Sequence, residues 1–281
     1  MQTILVTGGC GYIGAHTIVD LIENGFNVIS VDNLSRASDQ SIVGIEKITG
    51  KKIKNYKVDL TDKVATENIF IENPGITGII HFAAYKAVGE SVEKPLSYYE
   101  NNLVGLLNIL SLIDSFEVPN FVFSSSCTVY GEPKETKEVH EETPKSLPES
   151  PYGYTKWIGE QIIADFFKSA PEFHLMNLRY FNPVGAHQSG IIGDNPKGAP
   201  NNLMPYIAQV AIGLRSKLNV FGGDYATNDG TGIRDYIHVM DLAEGHAAAL
   251  NFLNQANGWH AINLGTGKGY SVLEVVSAFE K

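Results

Sequence analysis

Tyr152 and Lys156 stand four positions apart in Tyr152-Gly-Tyr154-Thr-Lys156, at the head of an amphipathic segment. On a helix that spacing puts both on one face as neighbours. A tyrosine hydroxyl titrates near ~10, too high for a base at neutral pH. A lysine ammonium beside it favours the phenolate and lowers that value. The pair is therefore a candidate proton-transfer couple, with Tyr152 as the base. Tyr154 is no substitute, because position 158 is isoleucine and offers no cation one turn on. Upstream, Ser124-Ser125-Ser126 closes an apolar, strand-like run. A hydroxyl there could bond a substrate hydroxyl and share its proton with Tyr152. For Ser124 and Ser125 the alternative is a set of turn hydroxyls capping backbone groups.

A second constellation can hold a nucleotide. The strand-like Thr3–Thr7 runs into Gly8-Gly9-Cys10-Gly11-Tyr12-Ile13-Gly14 and then a helical pattern. Glycines 9, 11 and 14 satisfy GxGxxG, and glycines 8, 11 and 14 satisfy GxxGxxG. Such glycines allow a tight turn, a close backbone approach to pyrophosphate and close helix packing, while the helix N-terminus supplies free N–H donors. A glycine-rich turn with no ligand is the alternative. Asp32, at the end of the second strand, argues against it. A carboxylate in that register accepts hydrogen bonds from the adenosine ribose and repels a 2′-phosphate, which favours NAD over NADP. Arg36 points the other way, since an arginine accommodates that phosphate. The oxidised nicotinamide would bring a second positive charge to the Tyr152 phenol.

The elements that must position these residues alternate. Candidate strands are Thr3–Thr7, Asn27–Val31, Lys54–Val58, Gly78–Phe82, Asn120–Ser124, His174–Arg179 and His260–Leu264. Helices are expected over Ile13–Glu23, closed by Asn24-Gly25, over Leu103–Phe116, closed by Val118-Pro119, and over Tyr152–Phe167. This is the pattern of an α/β protein, a doubly wound (Rossmann) parallel sheet. Lys134–Ser150 reads as an exposed loop. Phe181–Asp235 is rich in Gly and Pro, with one helix near Leu203–Gly213, and reads as a smaller C-terminal lobe. Residues 1–180 are expected to form the dinucleotide domain and 181–281 mainly the substrate lobe, with 236–265 returning to the sheet. Ser271 and Glu274 form a capping-box pair before Val272, Val275, Val276 and Phe279, yet no stop signal precedes Lys281. The chain is accordingly expected to be a piece of a longer protein.

Composition narrows the classes. With 43% hydrophobic and 19% charged residues, the 281-residue chain is not disordered. A net charge of −10 without a basic block argues against phosphate-tracking nucleic-acid binding. Two cysteines, Cys10 and Cys127, and eight scattered histidines offer neither a disulfide framework nor a metal motif. His81 and His238 read as structural, and Cys10 as small buried filler. With no basic leader and no apolar run near ~18 residues, a soluble, cytoplasmic protein is expected.

These blocks resemble the extended short-chain dehydrogenase/reductase family along the whole chain. They are the glycine loop, Asp32-Asn33-Leu34, His81-Phe82-Ala83-Ala84 with Lys86-Ala-Val-Gly-Glu-Ser, Ser124–Ser126 with Val129-Tyr130-Gly131, and Tyr152-xxx-Lys156. Leu178-Arg-Tyr-Phe-Asn-Pro-Val-Gly-Ala-His187, Pro200-Asn-Asn-Leu-Met-Pro-Tyr206 and Asp229-Gly-Thr-Gly-Ile-Arg-Asp-Tyr-Ile-His-Val-Met-Asp-Leu242 narrow the likeness. They point to the branch that interconverts UDP-glucose and UDP-galactose. The resemblance implies that tightly held NAD takes a hydride from carbon four of the UDP-hexose while Tyr152 removes the hydroxyl proton. The ketose turns over and the hydride returns to its other face. Lys156 would tune the base and position the nicotinamide ribose, and Ser126 would assist at the hydroxyl. Gly8, Gly11, Tyr12, Ile13, Gly14, Asp32, Asn33, Asp59, Leu60, Phe82, Ala83, Lys86, Asn101, Ser124 and Tyr180 would surround NAD. Asn182, Asn202, Leu203, Asn219, Phe221 and Arg234, with Ser126 and Tyr152, would hold the UDP-sugar, and a homodimer is implied. Related dehydratases carry an acidic pair or a glutamate before the Tyr-Gly segment, to eliminate water. Here those positions are Cys127 and Thr128.

Overall fold

β-Branched runs facing both ways and helices stopped by glycine or asparagine build the frame of this computed structural model, which describes residues 2–133, 138–195, 200 and 202–281. In chain order the first half holds β1 (Thr3–Thr7), α1 (Tyr12–Glu23), β2 (Asn27–Val31), α2 (Gln40–Thr49), β3 (Lys54–Tyr56), α3 (Lys63–Glu72), β4 (Ile76–His81), α4 (Val88–Glu93) and α5 (Pro95–Tyr99). A π-turn over Glu100–Val104 leads into α6 (Gly105–Ser115), then β5 (Asn120–Ser126) and a short 3₁₀ turn (Cys127–Tyr130). The remainder is α7 (Pro151–Ser169), β6 (His174–Tyr180), β7 (Asn182–Val184), α8 (Leu203–Ala211), β8 (Ile233–His238), α9 (Val239–Leu253), β9 (Gly258–Leu264), β10 (Gly269–Ser271) and α10 (Val272–Phe279). Part of the loop expected over Lys134–Ser150, residues 134–137, lies outside the described residues.

Seven strands pair in the order β3-β2-β1-β4-β5-β6-β9, every pair parallel. The winding reverses between β1 and β4, and at such a switch point open α/β sheets leave a crevice beyond the strand ends. Alternation along β1 divides the core. Ile4 and Val6 pack with Ile18 and Leu21 of α1 and with Leu242 and Leu250 of α9. Leu5 packs on the other side with Ile79, Phe121, Leu106, Ile109 and Ile163. All of these side chains are at 1% exposure or less, so both faces of the sheet are covered as parallel strands require.

Several local expectations shift by a few residues. β5 runs to Ser126 because its three serines pair with Leu178, Arg179 and Tyr180 of β6, although hydroxyls carry no apolar alternation. α6 begins at Gly105, because the π-turn intervenes and displays Asn101 and Asn102. β3, an edge strand, ends at Tyr56, where the Val58 N–H turns back to the Tyr56 carbonyl at 3.0 Å. The Ser271–Glu274 capping box forms as its spacing suggests, though α10 buries none of its residues. A separate three-stranded sheet, β10-β8-β7, was not anticipated. Two of its strands are three residues long, too short to show a period of two.

Candidate active site

The glycine loop forms the floor of the crevice. Gly8 sits at φ +69°, and its N–H reaches the Val31 carbonyl of β2 at 2.7 Å. At Gly14 a methyl group would lie 2.4 Å from the Gly8 carbonyl oxygen and 3.0 Å from Gly9 Cα, so only glycine lets α1 start this close to the strand. No side chain caps the N-terminus of α1, leaving its first N–H groups for a ligand. Asp32 lies beneath the loop and accepts from Cys10 N–H at 3.1 Å and Leu34 N–H at 2.8 Å. Burial would raise the Asp59 carboxyl, but the Thr61 N–H and hydroxyl and the Asn33 amide hold it below the usual value. This cradle of glycine backbone, uncapped helix N–H donors and a cavity-lining carboxylate fits a dinucleotide.

These residues line a single cavity of about 430 Å³. Gly8, Gly11, Tyr12, Ile13 and Gly14 face it together with Asp32, Asn33, Asp59, Leu60, Phe82, Ala83, Lys86 and Asn101. Ser124, Tyr152, Lys156 and Tyr180 line it as well. Among the walls that sequence reasoning missed are Ser35, Tyr85 and the segment Ile191–Asn195. The last lies in the aperiodic stretch Phe181–Asp235, which carries no periodic signal. Tyr85 is held by buried Asn102, which accepts from its N–H at 2.8 Å and donates to its carbonyl at 3.0 Å. Tyr12 crosses to the lobe, its phenol donating to the Gly185 carbonyl at 2.7 Å.

Tyr152 and Lys156 share a face of α7, whose N-cap Ser150 accepts from Gly153 N–H at 3.1 Å. Lys156 is buried and donates to the Ser124 carbonyl at 2.5 Å, and its Nζ lies 4.8 Å from the Phe123 ring centroid. Burial lowers this ammonium to about 7, against the opposing pull of Glu160. The Tyr152 phenol departs from the sequence expectation. Burial pushes it up to about 12, and the hydrogen bond with Ser126 only partly counters this. The Lys156 ammonium donates to a carbonyl of β5. Ser126 does not line the cavity; its hydroxyl accepts from Thr128 N–H at 3.2 Å beside Tyr152.

Tyr180 donates its phenol to His246 Nε2, while His246 Nδ1 faces the Leu242 carbonyl at 2.7 Å. Burial keeps His246 neutral, lowering it to about 4. His81 is likewise lowered to about 3 by burial and the nearby Lys156, and faces Thr7 Oγ1 at 2.9 Å. Burial raises the Cys10 thiol to about 12. Among the described residues no cluster of three or more His, Cys, Asp or Glu could hold a metal.

Of the expected sugar-side residues only Tyr152 lines this cavity. Asn182 opens β7, Asn202 caps α8 and Leu203 is its first residue. Asn219 and Phe221 lie where the chain is neither helix nor strand, and Phe221 is 86% exposed. Arg234 is exposed on β8, donating to its neighbour's carbonyl at 2.7 Å, yet its charge acts on Cys127, next to Ser126.

Residues 4–265 match the model of the NAD dependent epimerase/dehydratase family. The chain belongs to that family. Within it, the chain is 55% identical over 280 residues to the UDP-glucose 4-epimerase of Erwinia amylovora, all of this chain against 82% of that one. It is 53% identical to that of Bacillus subtilis over the same shares. The family fold superposes closely. A UDP-glucose 4-epimerase from Bifidobacterium longum, in complex with NAD+ and UDP, matches 99% of this chain and 82% of its own at TM-score 0.96 and 50% identity. A Stenotrophomonas maltophila UDP-glucose-4-epimerase with bound NAD and formylated UDP-arabinopyranose gives 0.95 at 45% identity, over 100% and 82% of the two chains. No helix among the described residues is long and apolar enough to cross a membrane.

Proposed function

We propose that the protein interconverts UDP-glucose and UDP-galactose on tightly bound NAD. One observation carries this: Tyr152, Lys156, Asp32 and the glycine loop line the same cavity, in a chain 52–55% identical to UDP-glucose 4-epimerases. Bound NAD would supply the hydride chemistry at carbon four, with no net oxidation of the sugar. Tyr152 would take and return the hydroxyl proton at its phenol oxygen, where Ser126 hydrogen-bonds. The positive charges of Lys156 and of a bound oxidised nicotinamide would offset the burial that raises this phenol. Lys156 anchors the helix to Ser124 and would contribute positive charge near the nicotinamide ribose. Tyr180, fixed by His246, lines the cavity and would stand beside the nicotinamide.

A dehydratase needs an added acid and base after β5. Cys127 and Thr128 supply neither: burial raises the Cys127 thiol, and the buried Thr128 hydroxyl has no hydrogen-bond partner. Asn182, Asn202, Leu203, Asn219, Phe221 and Arg234 would take the UDP-sugar on residues 181–281, and residues 1–180 would hold NAD. The planar fork of Arg234 suits a diphosphate. Leu96, Leu107 and Val104 are 80%, 50% and 37% exposed around α5 and α6, an apolar surface suited to a second copy in a cytoplasmic homodimer. Incubating the protein with UDP-galactose and no added dinucleotide, with proton NMR of the sugar, should show UDP-glucose accumulating in proportion to protein. UDP-galactose left unchanged, or a deoxy-sugar product, overturns the reading.

A further inference from the structure

Arg36 lines the cavity four residues beyond Asp32, at its adenosine end. A guanidinium in that region is a usual partner for a 2′-phosphate, so its engagement bears on which dinucleotide is accepted. Here it is already engaged. Arg36 Nη2 donates to Glu90 Oε1 at 2.8 Å, and its Cζ lies 4.6 Å from the Tyr85 ring centroid. Glu90, just inside α4, is itself fixed. The Tyr98 phenol donates to Oε2 at 3.0 Å, and Lys94 Nζ stands 3.6 Å from Oε1. Tyr98 is only 1% exposed, and its oxygen accepts the Ala87 N–H at 3.1 Å. The carboxylate is therefore tied to the core and to backbone, unlike a loose surface acid.

We propose that Glu90 is a specificity-determining residue, which keeps the protein on NAD by occupying Arg36. This deepens the cofactor reading and rests on it. With the pair intact, a 2′-phosphate meets the Asp32 carboxylate and an arginine whose charge is already matched. Recruiting Arg36 would require breaking its 2.8 Å hydrogen bond to Glu90 and leaving that anchored carboxylate with only Lys94, at 3.6 Å. Glu90→Gln removes the charge but keeps the shape and a hydrogen-bonding group for Tyr98. Arg36 is then free to swing from Tyr85 toward the ribose.

The test uses the dinucleotide that each protein carries. Wild type, Glu90→Gln, Arg36→Ala and the double variant are expressed in one host and purified. Released NAD and NADP are then quantified by chromatography after denaturation. The NADP share should rise about tenfold in Glu90→Gln, the value of one charge-assisted hydrogen bond. It should return to the wild-type share in the double variant. Arg36→Ala alone should match wild type, because a matched arginine contributes nothing to NADP. An unchanged share in Glu90→Gln overturns the proposal, as does a rise that survives the loss of Arg36 or a fall in Arg36→Ala. If none of the four carries a dinucleotide, the cofactor reading itself fails; NAD in all four at one fixed ratio fails only the role of Glu90.

Discussion

Glu160 and Arg179 meet edge to edge inside the protein, Nε to Oε1 at 2.9 Å and Nη2 to Oε2 at 2.8 Å, with their side chains 1% and 3% exposed. Glu160 lies one helical turn beyond Lys156. Its carboxylate also receives the Ser125 hydroxyl and Lys145 Nζ, each at 2.5 Å. Lys156 and Glu160 thus fasten α7 to two successive residues of β5, Ser124 and Ser125, and the next residue is Ser126 beside Tyr152. The buried pair serves to set this register, since burying two charges stabilises little by itself.

Removing one partner should therefore be costly. Glu160→Ala leaves a buried guanidinium uncompensated and should lower unfolding free energy by about 3–5 kcal/mol in urea titrations. Glu160→Ala with Arg179→Met should recover much of that loss. A single variant within about 1 kcal/mol of wild type would show that the pair is solvated in solution.

Tyr152→Phe deletes the phenol oxygen proposed as the proton acceptor and keeps the ring in the cavity wall. Turnover should fall by about 10²–10⁴-fold, the usual contribution of a positioned acid–base group. The dinucleotide bound per chain should stay at the wild-type level. Activity within a few-fold of wild type would remove Tyr152 from its role.

Gly14→Ala places a carbon against backbone that cannot give way, 2.4 Å from the Gly8 carbonyl oxygen. α1 must then retreat from the loop, at a cost of about 1–3 kcal/mol. The purified variant should carry much less dinucleotide than wild type. Full occupancy would mean that the loop adjusts elsewhere.

Acid should unfold the protein partly through its buried imidazoles. His246 and His81 are lowered by burial to about 4 and about 3, against an ordinary value near 6.5. Between those values and 6.5 the unfolded chain binds more protons, so stability is full above pH ~6.5 and falls as pH drops toward 4. Melting temperature should decline over that window, and less steeply in His246→Phe. An identical slope in the variant would mean that His246 is not held neutral.

The apolar surface of α5 and α6 gives the assembly test. Leu107→Glu puts a charge on a half-exposed position and should shift sedimentation from dimer toward monomer. A wild type that sediments as a monomer, or a variant that stays dimeric at the same concentration, counts against this interface.

Wherever meaning lies in short-range spacing, the amino-acid order was sufficient. Glycines three apart after a β-branched run, an acid at the end of the next strand and a tyrosine one turn before a lysine each act through local geometry. The doubly wound sheet, the cofactor cavity and the Tyr152–Lys156 pair were legible for that reason. Other features needed the chain to close on itself. Arg36 and Glu90 are 54 positions apart, Tyr180 and His246 66, and β8 pairs with β7 across more than 40 residues of aperiodic lobe. No periodicity records such meetings. Even the chemistry of Tyr152 waited on packing, because a lysine four residues away can face the phenol or the strand beneath. The fold turned it to Ser124, and burial then decided in which direction the phenol shifted.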